Sequence, residues 1–280
     1  MKIQLLSLFA LALGLMGASA ETFSKEVGLQ LYSLRDQFKT DVPGTMEKVA
    51  KYGFKEVELA GTYGMGAEEF KALLAKNGLT GVAGHFPYDR YKNEPEKVAA
   101  EAKALGLKYA GVAWINHKDG FDEAECREAA EVFNKAGAIL KKEGIQFYYH
   151  NHGYEFVKHG DGTLFDLLME LTDKENVAYQ MDVLWVVFPA QDPAALLEKY
   201  GSRFQLMHLK DLKKGVETGS LAGGTDVKND VTLGTGQMDW PAILKAAVKA
   251  GVKHYFIEDE SPTAPEQIPG SLEFLKTVKW

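Results

Sequence analysis

What most constrains this chain is a repeated change of hydrophobic period. From residue 27 onward, short runs rich in β-branched and aromatic residues alternate with amphipathic helical stretches, with no Pro-, Gly- or Ser-rich linker between them. These runs predict strands at 27–33, 54–60, 80–86, 109–114, 146–152, 177–182, 204–211 and 255–259. The intervening patterns, such as "EEFKALLAKNG" and "WPAILKAAVKAG", end on glycine, which takes the left-handed cap conformation without a Cβ penalty. Strands alternating with helices fold through right-handed crossovers into a parallel sheet. Eight such units predict an α/β fold, a closed (β/α)8 TIM barrel, as a single domain over residues 21–280. A doubly wound open sheet is disfavoured, because "LYSLRDQF" and not a glycine-rich phosphate loop follows the first strand.

The first twenty residues bear on compartment. "MKIQLLSLFALALGLMGASA" has one early lysine, an apolar run and an Ala18-Ser19-Ala20 ending, the pattern of a cleaved signal peptide, so an exported, periplasmic protein is expected. The run is shorter than the roughly 20 apolar residues that span a bilayer, so no membrane association is expected. With a single cysteine, Cys126, no internal disulfide can form, and stability rests on the core. The formal charge of −7 argues against a nucleic-acid partner, which clustered Lys and Arg would attract.

Barrel enzymes carry their chemistry at the C-terminal ends of the strands. Those ends hold Glu58, His85, Trp114 and Asn116, His150 and His152, Asp182, then His208, Lys210 and Asp211, and finally Glu258. Asp182, His208 and Glu258 come from consecutive strands; buried together without a cation, the two carboxylates would repel and lose their hydration. A divalent metal removes the conflict, with a metal-free ion-paired network as the alternative. Imidazoles and carboxylates without thiolate suit Mn²⁺, Fe²⁺, Co²⁺ or Zn²⁺ better than Ca²⁺. In "FYYHNHGYEF", His150 and His152 stand two apart, so a strand running through both aims them to one side. An isolated strand-end histidine such as His85 is ordinarily a hydrogen-bonded structural group.

The segments "MDVLWVVFPAQDPAALLEKYGSRFQLMHLKD" and "LGTGQMDWPAILKAAVKAGVKHYFIEDE" resemble the sugar phosphate isomerase/epimerase group of xylose-isomerase-like TIM barrels. That group includes tagatose 3-epimerase, hydroxypyruvate isomerase and inosose dehydratase relatives. The resemblance covers nearly the whole mature chain and implies a divalent cation, most often manganese, held at the ends of strands 5 to 8. Three of its ligands then fall on Asp182, His208 and Glu258. The fourth, usually a glutamate in a segment resembling "ENHG", falls on His150 in "YHNHG", with His152 at the histidine that often follows. One imidazole is then a ligand and the other faces the substrate. In the epimerases the strand-5 and strand-8 glutamates form an acid/base pair on opposite faces of the sugar. Their mismatch here, together with Trp185 where many members have histidine, points to a variant chemistry.

The implied step is proton removal from carbon next to a carbonyl, with the metal as Lewis acid. Glu258 is the first candidate base and His152 the second. Lys210, expected to share the inward direction of His208, neutralises an oxyanion or binds a hydroxyl. The main expectation is an isomerase or epimerase acting on a small carbohydrate: a free sugar, keto-sugar or glycoside. A keto-sugar lyase or dehydratase (hydratase) and a non-catalytic periplasmic sugar- or metal-binding protein are the alternatives. Trp114 and Trp185 are expected to stack on the sugar, Glu58 and His85 to contact hydroxyls, and Asp211 to orient a neighbour. The apurinic endonuclease branch of the fold needs further ligands and a basic surface, which an acidic chain lacks. The long glycine-rich stretch 213–237 predicts a flexible lid over the metal face.

Overall fold

Strands such as "VAYQMD" and "FQLMHL" carry almost no solvent-facing alternation and are buried on both sides, as in a sheet covered by helices outside and packed within. The structure, a computed structural model, describes residues 21–280; the signal peptide expected at 1–20 lies outside the described residues. The barrel strands are β1 Val27–Gln30, β2 Glu56–Leu59, β3 Thr80–His85, β4 Tyr109–Val112, β5 Gln146–His150, β6 Val177–Asp182, β7 Phe204–Leu209 and β8 His254–Ile257. All pair in parallel in chain order, and β8 closes on β1, so the expected (β/α)8 barrel is the fold of this chain. None of the helices among the described residues is long and apolar enough to cross a membrane.

The helices bury one face against the strands. The longest, Glu123–Lys142, starts from a reciprocal capping box between Asp122 and Glu125 and turns Cys126, Phe133 and Leu140 inward. Inside the barrel, Tyr109, Tyr148, Leu206 and Phe256 form a separate apolar cluster with small neighbours. Two glycines make room for the large rings. A Cβ on Gly111 would stand 2.5 Å from the Tyr148 carbonyl oxygen, and one on Gly28 would stand 2.6 Å from the Phe256 ring.

All strands but β6 end earlier than their sequence suggests, and at three of them the local reason is plain. β1 stops at Gln30, whose side-chain oxygen accepts from the Tyr32 N–H at 3.0 Å and starts a 3-10 turn at Leu31–Leu34. β5 stops at His150, because the Glu155 carboxylate captures the His152 N–H at 2.8 Å. β7 stops at Leu209. Asp211–Leu212 instead pairs antiparallel with Asp230–Val231, closing the neck of a long excursion over the C-terminal face, where the lid is expected.

Candidate metal centre

Asp182 is the last residue of β6 and caps the short helix Val183–Val187, its Oδ1 accepting from the Trp185 N–H at 3.2 Å. That leaves Oδ2 buried with no hydrogen-bond partner. Three other ligand atoms close around it. His208 Nδ1 lies 3.7 Å from Asp182 Oδ2 and 3.2 Å from Glu258 Oε2, and His150 Nε2 lies 3.8 Å from the same Asp182 oxygen. Ligand bonds of about 2.0–2.2 Å arranged tetrahedrally put neighbouring ligand atoms about 3.4 Å apart. The Asp182, His208 and Glu258 atoms lie within 4.8 Å of one another and fit one divalent ion, with His150 Nε2 beside them; a second such set joins His150 and His208 to His85.

The remaining ring nitrogens are held from behind. His150 Nδ1 donates to Gln180 Oε1 at 2.9 Å, which leaves the Nε2 lone pair facing Asp182. His208 Nε2 donates to Glu58 Oε2. Burial alone would lower the His208 pKa, but the Glu58 and Glu258 carboxylates outweigh it and hold it well above the usual imidazole value.

Glu58, expected to contact substrate hydroxyls, does not line the cavity. It is fully buried below the centre, accepting from Gln30 Nε2 at 2.7 Å, Gln180 Nε2 at 2.9 Å, the Tyr148 hydroxyl and His208. Burial would raise its pKa, yet the adjacent His85 and His208 draw it down to about 2. Gln180 is the hub of this polar floor, since its Oε1 also accepts from His85 Nε2 at 3.2 Å.

Above the floor opens a cavity of about 360 Å³, bordered by His85, His150, His152, Trp114, Trp185, Lys210 and Glu258. Thus every residue expected at the site except Glu58, Asp182 and His208 lines it, and those three lie just beneath. His152 does not reach the cavity by strand alternation, since β5 has already ended. Its ring sits 4.9 Å from that of His150 and packs parallel to Tyr154 at 5.8 Å. Its Nδ1 has no partner, and burial, with His150 and Lys210 nearby, holds its pKa well below the ordinary value, so the ring is neutral.

Lys210 points inward as expected, its Nζ 3.3 Å from Glu258 Oε2, 3.6 Å from Asp230 Oδ2 and also bonded to Glu260. Burial would lower its pKa, but Glu258, Asp230 and Glu260 hold it well above the usual lysine value. In turn, Lys210 and His208 overcome burial to keep Glu258 well below the carboxylate range. A carboxylate so stabilised is a weak base.

Asp211 does orient a neighbour. Its carboxylate accepts from the N–H groups of Gly234, Gly236 and Met238 and from Trp240 Nε1, latching "GTGQMDW" in place. Asn116 bonds Asp89 at 2.9 Å, away from the centre. Four contributors escaped sequence reasoning: Gln180, Tyr148, Asp230 and Glu260. Glu260 carried a signal, standing two residues past Glu258 in "EDE". Gln180 and Tyr148 carried none, being neutral residues inside apolar strands.

The family described as "Xylose isomerase-like TIM barrel" matches residues 46–278. The chain belongs to this family. An inosose dehydratase from Clostridium perfringens is 29% identical over 193 residues, covering 60% of this chain and 63% of that protein, so the match spans under two thirds of the relative's length. A solved sugar phosphate isomerase/epimerase from Parabacteroides distasonis is 25% identical, with a TM-score of 0.76 over 93% of this chain and 99% of that one. The structure of IolI with a bound zinc atom, 15% identical with a TM-score of 0.70 over 89% of this chain and 95% of that one, shares the xylose isomerase-like fold.

Proposed function

We propose that this protein is a divalent-metal-dependent lyase of the dehydratase type, which removes a proton next to the carbonyl of a keto-sugar, free or as a glycoside, and expels the β-substituent. His150, Asp182, His208 and Glu258 would hold the ion, of which Mn²⁺ is the first candidate; the zinc in the IolI structure supports a divalent ion on this fold. When bound, the ion supplies Lewis-acid polarisation of the substrate carbonyl.

The carrying observation is the asymmetry of the proton carriers. A neutral His152 and a cationic Lys210 border one cavity, while His150, at the position of a second carboxylate base, is tied to Gln180. Elimination needs one base and one acid. His152 takes the proton from carbon, the electron pair forms the carbon–carbon double bond, and Lys210 protonates the departing oxygen. The proton on His152 then returns to Lys210 through solvent. Naming of relatives as inosose dehydratases supports the same reading. Isomerisation or epimerisation is the second reading, favoured by the Parabacteroides structure.

Incubating the Mn²⁺-loaded protein with a keto-sugar panel in D₂O separates them. Elimination gives loss of the β-substituent by mass spectrometry, whereas solvent deuterium at carbon without that loss gives isomerisation or epimerisation. No exchange and no loss from any substrate would leave a binding protein. Export belongs to the same proposal and is supported by the leader alone. Recovery of a chain beginning at Glu21 from the periplasmic fraction tests it.

A further inference from the structure

Among the described residues, three large hydrophobic side chains are exposed: Tyr32 at 43%, Trp114 at 41% and Leu221 at 42%. Two of the three border one cavity. Tyr32 and Trp114 both line the cavity over the metal centre. Leu221 lies two residues before Gly223, which packs so tightly on Trp114 that a Cβ there would stand 2.6 Å from the indole. Tyr32 follows β1 and Trp114 follows β4, three strands apart around a ring of eight, so the two rings come from separate sectors of the rim.

Both rings are held in place. The Arg35 guanidinium sits 4.5 Å from the Tyr32 ring centre and donates to the Glu260 carbonyl oxygen at 2.8 Å. Trp114 stacks on His117 at 5.0 Å and meets the edge of Tyr154 at 4.8 Å. Exposed aromatic rings facing one cavity mark a binding surface, and rigid rings lose little freedom on binding. The cavity's 360 Å³ falls in the range, roughly 300–1,000 Å³, that encloses drug-sized ligands. Thr225 and Glu260 line the same cavity and could serve the hydroxyls of a second sugar, so a disaccharide is the competing occupant.

We infer that the substrate is a glycoside whose aromatic aglycone rests on Tyr32, Trp114 and Leu221 while its sugar ring lies over His152 and Lys210. This rests on the proposed keto-sugar chemistry for where the sugar sits.

The test is calorimetric binding to the intact, Mn²⁺-loaded protein of matched methyl and phenyl glycosides of keto-sugars, made by oxidising one ring hydroxyl of the glucose, galactose, mannose and xylose glycosides. For the pair that binds, the phenyl glycoside is expected to bind about tenfold more tightly, the scale of one or two aromatic contacts. Tyr32→Ala and Leu221→Ser should each bring that ratio towards one. A ratio near one in the unsubstituted protein, or one that survives both substitutions, overturns the aglycone site while leaving the sugar pocket intact. An equal gain with methyl cellobioside would overturn it in favour of a second sugar. Failure of every pair to bind would remove the sugar pocket itself, and the aglycone site with it.

Discussion

The two histidines of "YHNHG" have different work because their ring nitrogens have different partners. His150 is turned by Gln180 so that Nε2 meets Asp182, whereas the His152 Nδ1 meets nothing. His150→Ala is therefore expected to abolish stoichiometric metal binding by elemental analysis. His152→Ala should retain the ion and lose about 10²–10⁴-fold in turnover, the usual contribution of a general base. Loss of the ion from His152→Ala, with retention in His150→Ala, would reverse the assignment. The convergence of Asp182, His208 and Glu258 was legible in the sequence because they stand at the ends of consecutive barrel strands. The role of Glu58 was not: its partners Tyr148, Gln180 and His208 lie 90, 122 and 150 residues away, and only barrel closure brings them together.

The turn after β5 is an element with its own pH response. Glu155 is fully buried in the 3-10 turn Tyr154–Phe156, where its Oε1 accepts from the His152 N–H and the Tyr149 hydroxyl. Burial pushes its pKa from 4.5 up to about 7. The folded state thus keeps a proton that the unfolded state releases. Stability from this group is complete below pH 4.5, falls as pH rises to about 7, and is level above that. The loss amounts to roughly 3 kcal/mol. Glu155→Gln keeps the acceptor and removes the titration, so urea denaturation at pH 4.5 and 7.5 should show the unsubstituted protein losing about that much relative to the variant. Equal dependence in both would place the titration elsewhere.

Strand contacts give a second prediction at this scale. Gly111→Ala would drive a methyl group against the Tyr148 backbone and is expected to cost about 1–3 kcal/mol, read as a lower urea midpoint at unchanged slope. Strand existence and order were legible from period alone, whereas strand ends were not. Those at Gln30 and His150 depend on side chains capturing nearby N–H groups, which hydrophobic patterning does not register.

For the molecule as a whole, the proposed ion would join the ends of adjacent strands, Asp182, His208 and Glu258 on β6 to β8 with His150 on β5 beside them, and should act as a structural fastener as well as a reagent. An ion that binds the folded chain alone adds about 2.7 kcal/mol at a hundredfold excess over Kd. For a domain of this size that is an increase of about 5–10 °C in Tm. Thermal scans with Mn²⁺ and with chelator should differ by that amount, and Asp182→Ala should erase the difference. The barrel class was legible at this scale because eight repeats of one pattern admit few closures.

The neck formed by Asp211–Leu212 and Asp230–Val231, with the Asp211 carboxylate clasping residues 234–240, frames residues 213–229 as an insert that supplies one wall of the cavity. Both ends of the insert meet at one ribbon, so inserts of other lengths could be spliced there without moving a metal ligand. Relatives could diversify what they accept by exchanging this cassette, and an engineer could graft one in the same way.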